Sequence, residues 1–225
     1  MRSLTVPTWL REPWSAGRLC VAIGAILSIE IAVGYVFDNR VITADSLRLI
    51  QATLAHGRSG QIRPMLTPTS VKAAHAVFVV VVACIRIVGV ALLLQGLLLV
   101  AGHPVTLAHS VKATTLGALV LVTGEAAHVV TLLRIVGPIS AAEMARTPLS
   151  LGSLVFDSHQ IPTAFANLLN RINPIECAWV ITIACAIVWA GERRLTATKA
   201  AITCWAVLTL GQWAVLESLS RVAAR

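Results

Sequence analysis

Residues 76–101 read AVFVVVVACIRIVGVALLLQGLLLVA, and this stretch decides the fold of the chain. An α-helix needs about 20 mostly apolar residues to cross the roughly 30 Å hydrocarbon core of a bilayer. The stretch exceeds that length and holds one charged side chain, Arg86. It therefore predicts a transmembrane helix that ends before Gly102-His103-Pro104, because glycine and proline stop helices.

The composition of the whole chain supports the same conclusion. Of its 225 residues, 57% are apolar and 12% are charged, whereas soluble domains average about 45–50% and 25%. A water-soluble globule is excluded by this apolar excess. The net charge of +8 comes from basic residues scattered between apolar runs, which is typical of membrane topology determinants and not of a nucleic-acid surface.

Four further stretches are predicted to span the membrane: 19–37, 113–136, 174–190 and 199–219. The fourth is short, but Asn173, Pro174 and Glu176 form a helix start that resembles a capping box. We therefore expect an all-α polytopic bundle with five spans in a single transmembrane domain, residues 19–220. Residues 1–18 are expected to lie on the membrane surface, and the connections 41–72 and 139–172 are expected to contain interfacial amphipathic helices.

The distribution of basic residues predicts the orientation. The short loop from Gly191 to Lys199 carries three basic residues, and such loops favour the cytoplasm. With five spans, this places the N-terminus in the cytoplasm and the C-terminus outside. The expected location is a bacterial inner membrane.

Four ionisable side chains fall at membrane depth: Glu30, Arg86, Glu125 and His128. Each costs at least about 2.5–3.5 kcal/mol in the middle of a span, so each calls for a partner or a function. One interpretation is a structural salt bridge from Arg86 to Glu125 or Glu30. The other is a polar path for a substrate.

Glu125 and His128 are three residues apart and therefore share a helix face. The same Glu-x-x-His spacing occurs in di-iron helix bundles, which also require a second copy and further carboxylates. The pair is a weak metal candidate, and we expect no metal, no other cofactor and no catalytic residue. Ala113, Gly117 and Gly124 form a stripe of small residues that predicts close packing against another helix.

The C-terminal third resembles prokaryotic members of the Yip family, the Ypt/Rab-interacting-protein-like membrane proteins. The resemblance covers roughly residues 73–220. It rests on Pro148-Leu-Ser-Leu-Gly-Ser-Leu, on Leu168-Leu-Asn-Arg-Ile-Asn-Pro-Ile-Glu-Cys-Ala-Trp179, on Glu192-Arg-Arg194 and on Lys199-Ala-Ala. It implies five spans, a cytoplasmic N-terminus and no catalytic residues, and it implies a scaffold or an accessory subunit of an ABC-type exporter.

Three functional hypotheses follow. The first is a non-enzymatic scaffold or accessory subunit that binds other membrane proteins or lipids, with oligomers possible. The second is a small carrier or channel that uses the four buried ionisable residues. The third is a metal- or haem-dependent membrane enzyme.

Overall fold

The computed structural model describes residues 11–43, 45–47, 68–103, 105–135, 139, 149–155 and 164–223, and within these ranges it is all-helical without strands. The helices are α1 Ala16–Arg40, α2 Pro68–Cys84, α3 Val90–Val100, α4 Leu107–Leu132, α5 Leu151–Val155, α6 Ala164–Asn170, α7 Pro174–Trp189 and α8 Arg194–Ala223. A π-helical turn, Ile85–Gly89, joins α2 to α3 without interrupting the helical path.

Three helical segments are long and apolar enough to cross a membrane: α1, the continuous segment Val71–Val100, and α4. They correspond to the predicted spans 19–37, 76–101 and 113–136. The segments start earlier than predicted, and α4 ends at Leu132, four residues before the predicted limit. Residues 16–18, which were assigned to the N-terminal segment, form the first turn of α1.

The predicted spans 174–190 and 199–219 also fall on helices, but they are not among these three membrane-length segments. Helix α7 has 16 residues, which at 1.5 Å per residue gives about 24 Å. Helix α8 has 30 residues and begins at Arg194, five residues before the predicted start. Most of the amphipathic helix predicted within 41–72 lies outside the described residues.

Successive long helices run in opposite directions. The N-terminal segment packs on the start of α4, because Lys112 Nζ donates to the Glu12 carbonyl at 2.7 Å and lies 5.6 Å from the Trp14 ring centroid. His103, after α3, pairs with Glu192, after α7, at 3.0 Å. We call this the proximal end of the bundle. The distal end holds the end of α1, the start of α2, the end of α4, and α5 and α6.

The proximal half of the bundle is densely packed. Its core joins α3, α4, α7 and α8 through the buried residues Val90, Leu94, Leu98, Val105, Ala113, Trp179, Ile183, Ala184, Ala186, Ile187, Ala197, Ala200, Ala201 and Cys204. The predicted small-residue stripe lies against α7. A Cβ atom added to Gly117 would stand 2.9 Å from Trp179 Nε1 and 3.0 Å from Ile183 Cγ1, so the absence of a side chain allows the close approach.

The distal half is organised differently because α7 begins inside the bundle. A Cβ atom added to Gly124 would stand 2.5 Å from Ile175 Cγ2, so the first turn of α7 is level with Gly124. Gly124 precedes the end of α4 by eight residues, or about 12 Å along the helix. Asn173 and Asn170, just before α7, are buried. The start of α7 therefore lies within the depth of the bundle.

Local capping explains why α7 can begin there. The Asn173 side chain accepts a hydrogen bond from the Glu176 N–H at 2.9 Å, and Pro174 occupies the first turn. Both features match the predicted helix start. The Glu176 carboxylate accepts from Arg171 Nη1 at 2.7 Å, so the carboxylate expected to complete a capping box serves an ion pair instead.

Candidate functional site

The π-helical turn carries Arg86 near the middle of the Val71–Val100 segment. A π turn displaces the normal helical hydrogen bonds and is common at functional sites. Here the Thr114 hydroxyl of α4 donates to the Ile87 carbonyl at 3.0 Å, where both residues are buried. This side-chain bond anchors the turn against α4.

Arg86 contacts two carboxylates from two other helices. Its Nη1 donates to Oε1 of Glu125 on α4 and lies 3.6 Å from Oε1 of Glu30 on α1. The two predicted partners of Arg86 are therefore both present, and one guanidinium connects α1, the π turn and α4. We call Glu30, Arg86 and Glu125 the ionic cluster.

The burial of the three side chains differs. The Glu30 side chain is 5% exposed, that of Arg86 27% and that of Glu125 39%. An apolar layer lies directly beside the cluster, formed by Ile26, Ile87, Ala118 and Val122. The deepest carboxylate thus belongs to Glu30, which faces the guanidinium at the longer distance.

The ionic cluster lines a cavity of about 800 Å³ in the distal half of the bundle. Small-molecule sites occupy about 300–1,000 Å³ and combine apolar walls with a few polar groups. The wall here is largely apolar, and it receives residues from all the long helices, among them Val33, Phe37, Val79, Leu121, Ile175 and Trp213. His128 also lines this cavity, one turn after Glu125.

Two further ion pairs each contribute at least one side chain to the cavity wall. His75 Nδ1 of α2 lies 2.7 Å from Oδ1 of the buried Asp38 on α1, and Arg171 pairs with Glu176 before α7. These pairs join neighbouring elements around the distal half. His75 lines the cavity, a position that the sequence does not predict.

The weak metal candidate from the sequence has its His128 and Glu125 at the cavity wall. Within the described ranges, no group of three His, Cys, Asp or Glu side chains could hold a metal ion. Among the described residues, Glu125 and His128 belong to no such group, and the Glu125 carboxylate accepts a hydrogen bond from Arg86. The arrangement can instead hold a charged or polar group beside apolar surface.

The sequence did not reveal the contribution of α8. Thr209, Gln212 and Trp213 of α8 line the cavity. Their spacing of three and four residues places them on one helical face. That pattern of polar and aromatic residues within an apolar helix is the signal that could have identified them.

No family model, curated protein or solved structure matches this chain.

Proposed function

We propose that this chain is a multi-pass membrane protein that takes an amphipathic molecule from the bilayer into the distal cavity. The observation that carries the proposal is the ionic cluster in the wall of an apolar cavity of about 800 Å³. A purely structural ion pair needs no adjoining space. A carrier or a binding protein needs both a chamber and a polar group inside it.

The start of α7 supports this proposal. Non-helical backbone is tolerated at the depth of the membrane where it is buried in protein or lines a cavity. Asn170, Arg171, Asn173 and the first turn of α7 line this cavity, and Ile175 in that turn lies against Gly124. Helices that begin near the bilayer middle and face a binding site are a recurring feature of transporters.

The proposal is tested by photolabelling in membranes with a diazirine-bearing long-chain alcohol, an uncharged amphiphile. Val33 lines the cavity on α1, whereas Val21 lies on the same helix with 74% of its surface exposed. Val33→Trp fills the cavity, and Val21→Trp is the matched control.

We expect saturable labelling of cavity residues that Val33→Trp abolishes and Val21→Trp preserves. Labelling confined to the outer helix faces, and unchanged by Val33→Trp, would overturn the proposal. Excess unlabelled alcohol establishes saturation in the same experiment.

The five-span topology and a cytoplasmic N-terminus in a bacterial inner membrane belong to the same proposal. The support is that α7 and α8 lie antiparallel between the two ends of the bundle, with Glu192 at the proximal end beside His103. Reporter fusions after Ala223 provide the test. Alkaline phosphatase there should be active and green fluorescent protein dark; the reverse pattern would refute this topology.

A second candidate is the scaffold or accessory subunit that the Yip resemblance implies. The observation in its favour is the apolar surface at the short distal helices: Leu154 and Phe165 are 77% and 57% exposed, and Leu149, just before α5, is 76% exposed. Such a surface suits the membrane interface or a partner. Crosslinking in native membranes should trap a reproducible partner protein, and recovery of monomer and lipid alone would contradict this candidate.

A further inference from the structure

The ionic cluster is unbalanced, because two carboxylates share one guanidinium. The same atom, Arg86 Nη1, donates to Glu125 and lies 3.6 Å from Glu30. At that distance Glu30 has a Coulombic contact but no normal hydrogen bond, which requires about 3.2 Å or less. None of the described residues donates a hydrogen bond of normal length to the Glu30 carboxylate.

Glu30 nevertheless is almost completely buried and lines the cavity. Buried carboxylates normally accept several hydrogen bonds, because desolvation without compensation is costly. A carboxylate that is 5% exposed, weakly paired and at a cavity wall is suited to a positively charged group of a ligand.

Two other basic side chains at the wall already have carboxylate partners. His75 pairs with Asp38, and Arg171 pairs with Glu176. The N-terminus of α7 also lines the cavity and by its dipole would favour an anion. The Asn173 side chain already accepts a hydrogen bond from one N–H group of this helix end, and Glu176 places a carboxylate in the first turn. The preference of the α7 N-terminus for negative charge is therefore satisfied within the chain.

The rest of the wall suits an organic cation better than a bare metal ion. Apolar side chains dominate it, and Phe37 and Trp213 contribute aromatic rings. Aromatic faces attract cations, whereas inorganic ions need several oxygen ligands. A volume of about 800 Å³ also far exceeds the space that one dehydrated ion requires.

We propose that the cavity binds an amphipathic organic cation, with the positive group at Glu30 and the apolar part along the walls from α1 and α8. This inference rests on the proposed function and specifies its ligand class. Arg86 then holds Glu125 and restricts Glu30 to a position beside the guanidinium. The cation supplies the charge that the cluster lacks.

The test compares tetraphenylphosphonium with tetraphenylborate, two ions of the same shape and opposite charge. Binding to the full-length protein in lipid nanodiscs is measured by equilibrium dialysis, with protein-free nanodiscs subtracted. We expect saturable binding of tetraphenylphosphonium, and Glu30→Gln should weaken it about tenfold or more. Glu12→Gln, which removes an exposed carboxylate outside the cavity, should leave it unchanged.

A second readout uses the unaltered protein, in case Glu30→Gln lowers the yield of folded protein. A hydrophobic carbodiimide modifies carboxyl groups in apolar surroundings, and mass spectrometry locates the product. We expect modification of Glu30 that tetraphenylphosphonium slows and that neither tetraphenylborate nor sodium chloride slows. Equal protection by tetraphenylborate, protection by sodium chloride, or no protection would overturn the proposal.

The two proposals fail in different ways. If the uncharged photoactivatable alcohol labels the cavity while Glu30→Gln binds tetraphenylphosphonium as well as the original protein, the cavity is a binding site without cation preference. If neither probe enters the cavity and Val33→Trp changes nothing, the proposed function itself is wrong.

Discussion

Removing Arg86 should strongly destabilise the fold, because the guanidinium pairs with the buried carboxylate of Glu30 and the partly exposed carboxylate of Glu125. At 3.6 Å and an effective dielectric constant of about 20, its attraction to Glu30 alone is about 5 kcal/mol. Desolvation of the charges offsets much of this attraction. Breaking a buried pair by deleting one partner costs about 3–5 kcal/mol, and we expect Arg86→Met to lower the free energy of unfolding by that amount.

Neutralising both carboxylates should rescue the Arg86→Met variant. Glu30→Gln and Glu125→Gln remove the charges that Arg86→Met leaves unpaired. The triple variant should therefore regain most of the lost stability, since neutral replacements of buried ion networks are often tolerated. Arg40→Met, at the exposed last position of α1, is the control and should change the free energy of unfolding by less than about 0.5 kcal/mol.

The measurement is unfolding in mixed micelles with a rising mole fraction of dodecyl sulfate, monitored by the fluorescence of the six tryptophans. Two results would refute the reasoning. One is a loss below about 1 kcal/mol for Arg86→Met. The other is a triple variant no more stable than the single one, because the cost would then lie in packing and not in unpaired charge.

Three further predictions concern the packing of the bundle. Gly117→Ala should lower the free energy of unfolding by about 1–3 kcal/mol through overpacking. Gly211→Ala is the control and should be neutral or stabilising, because an added Cβ there has no neighbour within 4 Å. Equal losses of stability in the two variants would contradict the packing of α4 on α7. Asn173→Ala should cost about 1 kcal/mol in the same unfolding assay by removing a helix cap, and an unchanged midpoint would show that this cap is not formed. Cysteines replacing His103 and Glu192 in a cysteine-free background should be joined by a short bifunctional thiol reagent, because His103 Nδ1 and Glu192 Oε2 are 3.0 Å apart. Gel mobility detects the crosslinked protein, and a failure to crosslink would contradict the proximal arrangement.

Features encoded locally were predictable from the sequence. The apolar run 76–101 needs no partner to be recognised, and Asn173-Pro174 marks a helix start through groups within one turn. The structure begins α7 at Pro174 accordingly. Arg86 was recognised as needing a partner because its cost at membrane depth is independent of the fold.

Features that depend on how helices pack were not predictable. The sequence offered Glu30 or Glu125 as partner of Arg86, and the structure joins it to both. That outcome depends on the π turn and on the anchoring of Ile87 by Thr114, neither of which has a local sequence signal. The cavity depends in turn on the level at which α7 meets Gly124, which is a contact between residues 51 positions apart.

The central claim is that a ligand occupies the cavity beside Glu30. A high-resolution cryo-electron microscopy map of the full chain in lipid nanodiscs with tetraphenylphosphonium tests it most directly. The account predicts non-protein density between α1 and α8, with Glu30 beside it and Arg86 still bound to Glu125. Side chains of α1 and α8 filling that space, with all ligand density on the outer helix faces, would contradict it.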